Sequence, residues 1–357
     1  MQIVLIAESK EANSLGRAYC LWLLARELGW GVLVVTTHGN AIWPPLAGTE
    51  FERSVRQVPA SEVADAIPSD TDLLIAVKPL PRSLGQAAHI AEQLYLPLLV
   101  DVDDPDLEVR RRTGSPALGA LRWFRRPGRS IEDLRLQNLA RTHPSLVSNP
   151  WLQARYGGTL IPHTRLPMES GETRDTSDMQ IAFVGTRHPH KGVDVLRSAI
   201  RSLQNDRSRT TLVITDDPPD DAQVWETWVG RTSLTAGIDL ARSADVVAIP
   251  SLSDRRAVGQ LPVKLVDALM LGRPLVVSDV EPLPWAIGDA GLVVAPGDPN
   301  ALASALRALR DPSVRRRLQV LALQRAEEEF SVAVLAPRFA EACRAAVGFG
   351  RRANGER

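Results

Sequence analysis

Short, nearly continuous apolar runs alternate with helix-length segments twice along this chain. That alternation restricts the fold more than any other feature of the sequence. In the first half the apolar runs lie at 2–8, 32–37, 72–77, 96–104 and 145–150, with helical segments at 14–29, about 83–94 and 151–157. In the second half they lie at 179–185, 210–216, 244–251, 273–279 and 291–296, with helices at 193–204 and 264–272 and two more within 298–330. Strands that are apolar on both faces and separated by helices belong to parallel sheets covered on both sides. The chain therefore reads as α/β, with two doubly wound parallel-sheet domains. Its 357 residues suit two domains better than one. The polar, aperiodic stretch around 165–178 is the expected linker. Two such domains facing each other place a cleft at the carboxyl ends of both sheets.

Composition excludes some partners. Acidic and basic residues balance at 42 each, so nothing in the overall charge favours nucleic acid. Two cysteines far apart, Cys20 and Cys343, make neither a disulfide framework nor a zinc signature. The first strand begins at once, and no apolar run approaches the 18 or so residues of a spanning helix. The expectation is a cytoplasmic protein, with attachment to a membrane surface left open. The arginine-rich stretch 105–129 has both apolar and cationic character. It reads as a peripheral membrane contact, a solvated loop or a lid over an acceptor.

The stretch "FVGTRHPHKGVDVL" (183–196) holds the most chemistry. A strand ends at Gly185, a basic loop follows, and a helix starts near Gly192. Backbone N–H groups at such a helix start attract phosphate. Lysine is rare here: Lys10, Lys78, Lys191 and Lys264 are the only four. Two of them, Lys191 and Lys264, open helices of the second half just after a loop, which suits a diphosphate. The same strand–Gly–loop–helix unit also occurs throughout α/β folds with no ligand. His188 and His190 lack partners at metal-ligand spacing and read as polar loop residues, and no metal site is expected. The run "DVDD" (101–104) reads as acids of an acceptor site, Asp101 and Asp103, rather than as a cation site. His163 reads as a residue near the cleft or as hinge packing.

In order, "FVGTRHPHKGVDVLRSAI", "ADVVAIPSLSDRRAVGQLPVKLVDALMLGRPLVVSDV", "AGLVVAPGDPNALASALRAL" and "EEEFS" resemble the nucleotide-sugar-binding half of retaining GT-B glycosyltransferases of the family 4 type, glycosyl transferases group 1. "SKEANSLGRAYCLWLLARELGWGVLVVTT" and "SLVSNPWLQARYGGTLIPH" resemble the glycine loop and the last strands of that family's first domain. The resemblance implies a GT-B fold: residues 1–165 for the acceptor, 166–178 as linker, 179–331 for the nucleotide sugar, and 332–357 crossing back to the first domain. It implies transfer of a sugar, with retention, from a nucleoside-diphosphate sugar (UDP- or GDP-linked) to a hydroxyl on a small molecule, glycan or lipid-linked glycan. No tightly bound cofactor is implied. By the same resemblance Lys191 and Lys264 belong to the catalytic set, to which the reading of "DVDD" as an acceptor-site acid or base adds Asp101 and Asp103. The donor would be met by Gly185, Thr186, Arg187, Lys191, Gly192, Gly259, Gln260, Leu261, Lys264 and Asp267, with Gly16 approaching from the first domain. An ordinary first βα turn explains Gly16 equally.

Three departures accompany the likeness. The family's two glutamates, eight residues apart, fall on Gly259 and Asp267. Its arginine after the strand glycine falls on Thr186, with Arg187 next to it. The span between 216 and 244 is shorter than usual: the family inserts more strand and helix there, often as part of the base pocket, so the nucleobase is not indicated. A catalytically inactive homologue that binds nucleotide or a partner protein is the alternative.

Overall fold

The computed structural model describes residues 1–111, 127–353 and 355. Most of the arginine-rich stretch 105–129 thus lies outside the described residues. The chain divides into two compact units, Met1–His163 with Val332–Arg357, and Thr164–Ser331.

The first unit is built on a seven-stranded sheet in the order β3-β2-β1-β4-β5-β6-β7. Its strands are β1 Gln2–Ala7, β2 Gly31–Thr36, β3 Val55–Gln57, β4 Leu73–Val77, β5 Leu98–Val102, β6 Ser145–Val147 and β7 Thr159–Leu160. Every pairing is parallel; Leu5, for example, lies beside Val34 on one side and Ile75 on the other. The order in which strands are added reverses between β1 and β4, and the carboxyl ends there form a topological switch point. The last helix, Val332–Ala353, packs on helix Ser14–Glu27 and on β5. The rings of Trp30 and Phe339 meet at 5.9 Å, and Gly350 lies so near Pro97 that a Cβ would stand 2.8 Å from it.

The second unit repeats the scheme in six parallel strands, ordered β10-β9-β8-β11-β12-β13. These are β8 Met179–Phe183, β9 Thr210–Ile214, β10 Glu226–Trp228, β11 Val246–Ile249, β12 Leu275–Ser278 and β13 Gly291–Val294. The strand period of two sorts side chains onto two cores. Ile181, Phe183, Val246 and Ala248 face Leu196, Ile200 and Leu306. Ala182, Val247, Ile249 and Val277 face Leu265, Leu269 and Phe330. Helix Val193–Leu203 presents Val193, Leu196, Ile200 and Leu203 at helical spacing, and all are buried. Local chemistry sets the helix starts. Asn149, Asp298 and Asp311 each cap with a side-chain oxygen and are followed by proline at the first helical position.

The short span between 216 and 244 holds strand β10 and helix Leu234–Ser243, the latter capped by the Ser233 hydroxyl. The polar stretch 165–178, expected as a linker, is fastened along the second unit. The buried Arg273 guanidinium donates to the carbonyls of Gly171, Glu172 (2.9 Å) and Ala244 (3.0 Å). Arg315, also buried, donates to Arg174 O (2.9 Å) and Thr176 O (2.6 Å). Removing Arg273 takes a donor from three carbonyls, of which Gly171 O keeps the Gln319 amide at 2.8 Å, at about 1 kcal/mol for each bond lost. Arg273→Ala is therefore expected to destabilise the second unit by about 2–3 kcal/mol in urea unfolding. A loss under about 0.5 kcal/mol would show that the stretch is not held this way.

Candidate anion site at the second switch point

In the second unit the switch point lies between β8 and β11, and the two loops that leave these strands interlock. Gly192 has φ 67°, and a Cβ on it would stand 1.9 Å from the carbonyl oxygen of Pro250. Leu252 N–H donates to His190 O at 2.9 Å. Only a residue without a side chain fits this approach in this conformation. The turn Pro189–Lys191 is thereby fixed over the end of the sheet, directly before helix Val193–Leu203.

Lys191 and Lys264 converge on Gly185 from different elements. Gly185 has φ 138°, and a Cβ there would lie 3.3 Å from Lys264 Nζ and 3.8 Å from Lys191 Nζ. Gly185 N–H is tied to Thr215 Oγ1 at 2.5 Å, and Lys191 Nζ donates to Thr186 Oγ1 at 3.1 Å. Lys264 sits at the start of helix Val263–Met270, with Nζ 3.7 Å from the centre of the Phe183 ring. That nitrogen is buried and has no hydrogen-bond partner among the described residues. Burial, and then the charge of Lys191, push the Lys264 ammonium well below its ordinary pKa. Burial lowers that of Lys191 too, against the pull of Asp216. Two crowded cations at two helix starts, with no carboxylate between them, make a site suited to an anion.

The other sequence-predicted donor residues lie on the same unit in varied roles. Arg187 turns to Asp194 at 2.9 Å, while its N–H donates to the Asp216 carboxylate. Gly259, at φ 87°, donates its N–H to Glu281 O at 2.7 Å. Gln260 is half-buried, its N–H on Ala257 O, and Leu261 is buried in the core. Asp267 is buried and forms an ion pair with Arg165, whose Nε stands 2.9 Å from the carboxylate. Nothing in the sequence singled out Arg165, which lies about a hundred residues from its partner.

The acids read as acceptor residues lie in the first unit at the carboxyl end of β5, next to β4. Asp101 is wholly buried at the end of β5 and takes Arg17 Nη2 at 2.7 Å and Nε at 3.1 Å. Arg17, also buried, donates further to Ile161 O (2.8 Å) and Pro162 O (3.1 Å). The structure thus places Asp101 as a counter-ion inside the unit, not at a surface. Asp103 lies 3.3 Å from His163 Nε2 and 3.6 Å from Lys78 Nζ. Burial opposes its ionisation, but His163, Lys78 and Arg17 outweigh that and hold the carboxyl below its usual range. Lys78 has φ 69° and is buried against Asp104, with Asp106 also at 3.6 Å. Gly16 lies in the first turn of helix Ser14–Glu27, where a Cβ would stand 3.1 Å from the Trp43 ring. Arg17 and Lys78 were missed. Their only sequence signal is a cation within an otherwise apolar helix face or at a strand end.

Residues 178–311 match the family described as Glycosyl transferases group 1. No curated protein matches the chain. Among solved structures it is similar to Anabaena HepE in complex with UDP and glucose, at 16% identity and TM-score 0.69, over 96% of this chain and 98% of that one. It is also similar to sucrose-phosphate synthase from Thermosynechococcus elongatus, at 15% identity and TM-score 0.71, over 98% and 100%. S. aureus TarM, bound to UDP, fondaparinux and alpha-GlcNAc-glycerol, matches at 11% identity and TM-score 0.62, over 80% and 58%. Two parallel-sheet Rossmann-like domains, seven-stranded and six-stranded, with these likenesses, give the chain a GT-B fold.

Proposed function

We propose that this protein is a glycosyltransferase that moves a sugar from a nucleoside-diphosphate sugar to a hydroxyl-bearing acceptor. The observation that carries the reading is the convergence of Lys191 and Lys264 on Gly185, within the stretch that matches the glycosyl transferase family. A diphosphate leaving an anomeric carbon gains negative charge at its terminal oxygen. Two preorganised ammonium groups and the start of helix Val193–Leu203 stabilise that charge. UDP and glucose in HepE, and UDP in TarM, favour a UDP-sugar donor, with a GDP-sugar as the alternative. Retention of configuration follows the family resemblance: the acceptor hydroxyl attacks from the face that the diphosphate leaves, and the departing phosphate takes its proton.

In this reading Thr186 orients Lys191, and Asp267 is the acceptor for the ribose diol. Gly259 offers no carboxylate to the donor sugar. The acceptor belongs to the first domain. A contact with a membrane surface through 105–129 fits a lipid-linked glycan; no helix among the described residues is long and apolar enough to cross a membrane. One observation favours the second reading, a homologue that binds nucleotide without transfer: the Asp267 carboxylate is already engaged by Arg165.

Calorimetry with UDP, GDP, ADP and dTDP and their sugars separates the readings when turnover is followed alongside. One nucleotide is expected to bind, and Lys191→Ala is expected to weaken it at least tenfold, or about 1.4 kcal/mol. Binding without release of nucleoside diphosphate in the presence of glycan and lipid acceptors favours the inactive homologue. No binding across the panel overturns both.

A further inference from the structure

Lys264 Nζ presents a problem that the free protein solves in one of two ways. The group is buried, it has no hydrogen-bond partner among the described residues, and it lies over the Phe183 ring. A buried ammonium with no counter-ion is costly, and such a group gives up its proton more readily than it stays charged. From the turn Pro189–Lys191 it is faced by another cation, Lys191, placed by the same Gly185 gap. Asp216 acts on Lys191, but no acid acts appreciably on Lys264. Beyond Lys191 stand the stacked rings of His188 and His190, with Arg231, Arg256, Asp216 and Asp254 around them. Burial and the Lys191 charge therefore act on Lys264 with no acid set against them.

We propose that binding of a nucleoside diphosphate at this lysine pair takes up a proton, and that Lys264 is the group that receives it. The proposal rests on the reading of the site as a diphosphate site and deepens it. The anion brings the opposite charge that Lys264 lacks, which restores its ordinary basicity. By linkage, what binds the proton better in the complex binds the nucleotide better when the proton is present. The sign follows. Below the pKa of Lys264 in the free protein the lysine is already charged and affinity is flat. Above it, each complex must draw a proton from solvent, and affinity falls about tenfold per pH unit until the pKa of the complex is passed. Between those two pKa values the resting site carries one fewer cation than the site that holds the leaving diphosphate.

The test uses the full chain and UDP, with GDP and ADP as further probes. Calorimetric enthalpy is measured between pH about 7.5 and 9.5 in buffers of different ionisation enthalpy. A terminal phosphate, with pKa about 6, is already ionised there and takes up no proton of its own. The slope of enthalpy against buffer ionisation enthalpy is expected to rise to about one proton taken up per UDP. In Lys264→Arg, whose guanidinium stays charged throughout, the slope is expected to fall to near zero. Should that variant fail to fold, the decline of wild-type affinity with pH reads the same coupling. UDP binding with an enthalpy independent of buffer, and an affinity flat in pH, overturns the proposal. Proton uptake that persists in Lys264→Arg overturns the assignment to Lys264. Failure of every nucleotide to bind sinks the diphosphate site itself, and is told apart from the other outcomes by the absence of any heat.

Discussion

Arg17→Ala is expected to destabilise the first unit by about 3–5 kcal/mol, the cost of leaving one member of a buried ion pair alone. Three groups lose their partner at once. The Asp101 carboxylate loses the guanidinium that meets both of its oxygens, and the carbonyls of Ile161 and Pro162 lose theirs. Those carbonyls lie directly after β7, so Arg17 fastens the end of the unit's main chain to its first helix and to β5. The charge pattern reinforces the cost. Burial opposes the charge on Arg17, and Asp101 and Asp103 more than offset it, so removing Arg17 leaves two acids facing each other. Amide exchange localises the effect: protection of β1 and β5 is expected to fall a hundredfold or more, while that of β8 and β11 is unchanged. The double replacement Arg17→Met with Asp101→Leu removes both charges and is expected to recover much of the loss. If Arg17→Ala alone costs less than 1 kcal/mol, water reaches Asp101 and the pair is not the buried anchor described above.

How much of this could be read from the chain depends on how local the cause is. The central strands were legible because a parallel strand covered on both faces has nothing but apolar residues, as in β1 and β4. Three helix starts were legible because Asn-Pro and Asp-Pro place a cap and a fixed φ side by side. The edge strands β3 and β10 were not. Each is three residues long and partly exposed, so neither makes an apolar run. The lysine pair was legible because lysine is so scarce here that two lysines at two helix starts stand out. The acids were less so. "DVDD" reads as a cluster, but the sequence does not say that Asp101 points inward to Arg17 from a helix more than eighty residues away. Arg165 and Asp267 fail for the same reason. Ion pairs between distant segments leave no periodicity, and only the fold brings them together.

Gly192→Ala is expected to cost about 2–4 kcal/mol of stability in the second unit and to weaken nucleotide binding about a hundredfold. Two separate penalties meet at this position. The backbone has φ 67°, where a Cβ costs about 1–2 kcal/mol from local sterics alone. The new methyl would also stand 1.9 Å from Pro250 O, which is backbone at the end of β11 and cannot rotate away. One of the two loops must therefore shift. If the β8 loop moves, Lys191 leaves Gly185 and the start of helix Val193–Leu203 moves with it. If the β11 loop moves, Leu252 N–H loses His190 O. Either way the two ammonium groups no longer share one gap, and the diphosphate loses a contact that depends on their separation. The effect is thus larger than that of Lys191→Ala, which deletes one charge and leaves Lys264 and the helix start in place. Melting and UDP calorimetry on the two variants decide the matter. Gly192→Ala should lose both stability and affinity, and Lys191→Ala affinity alone. A Gly192→Ala protein that melts with the wild type and binds UDP as tightly would mean that the loops do not meet over the sheet as described, and the lysine pair would lose its structural basis.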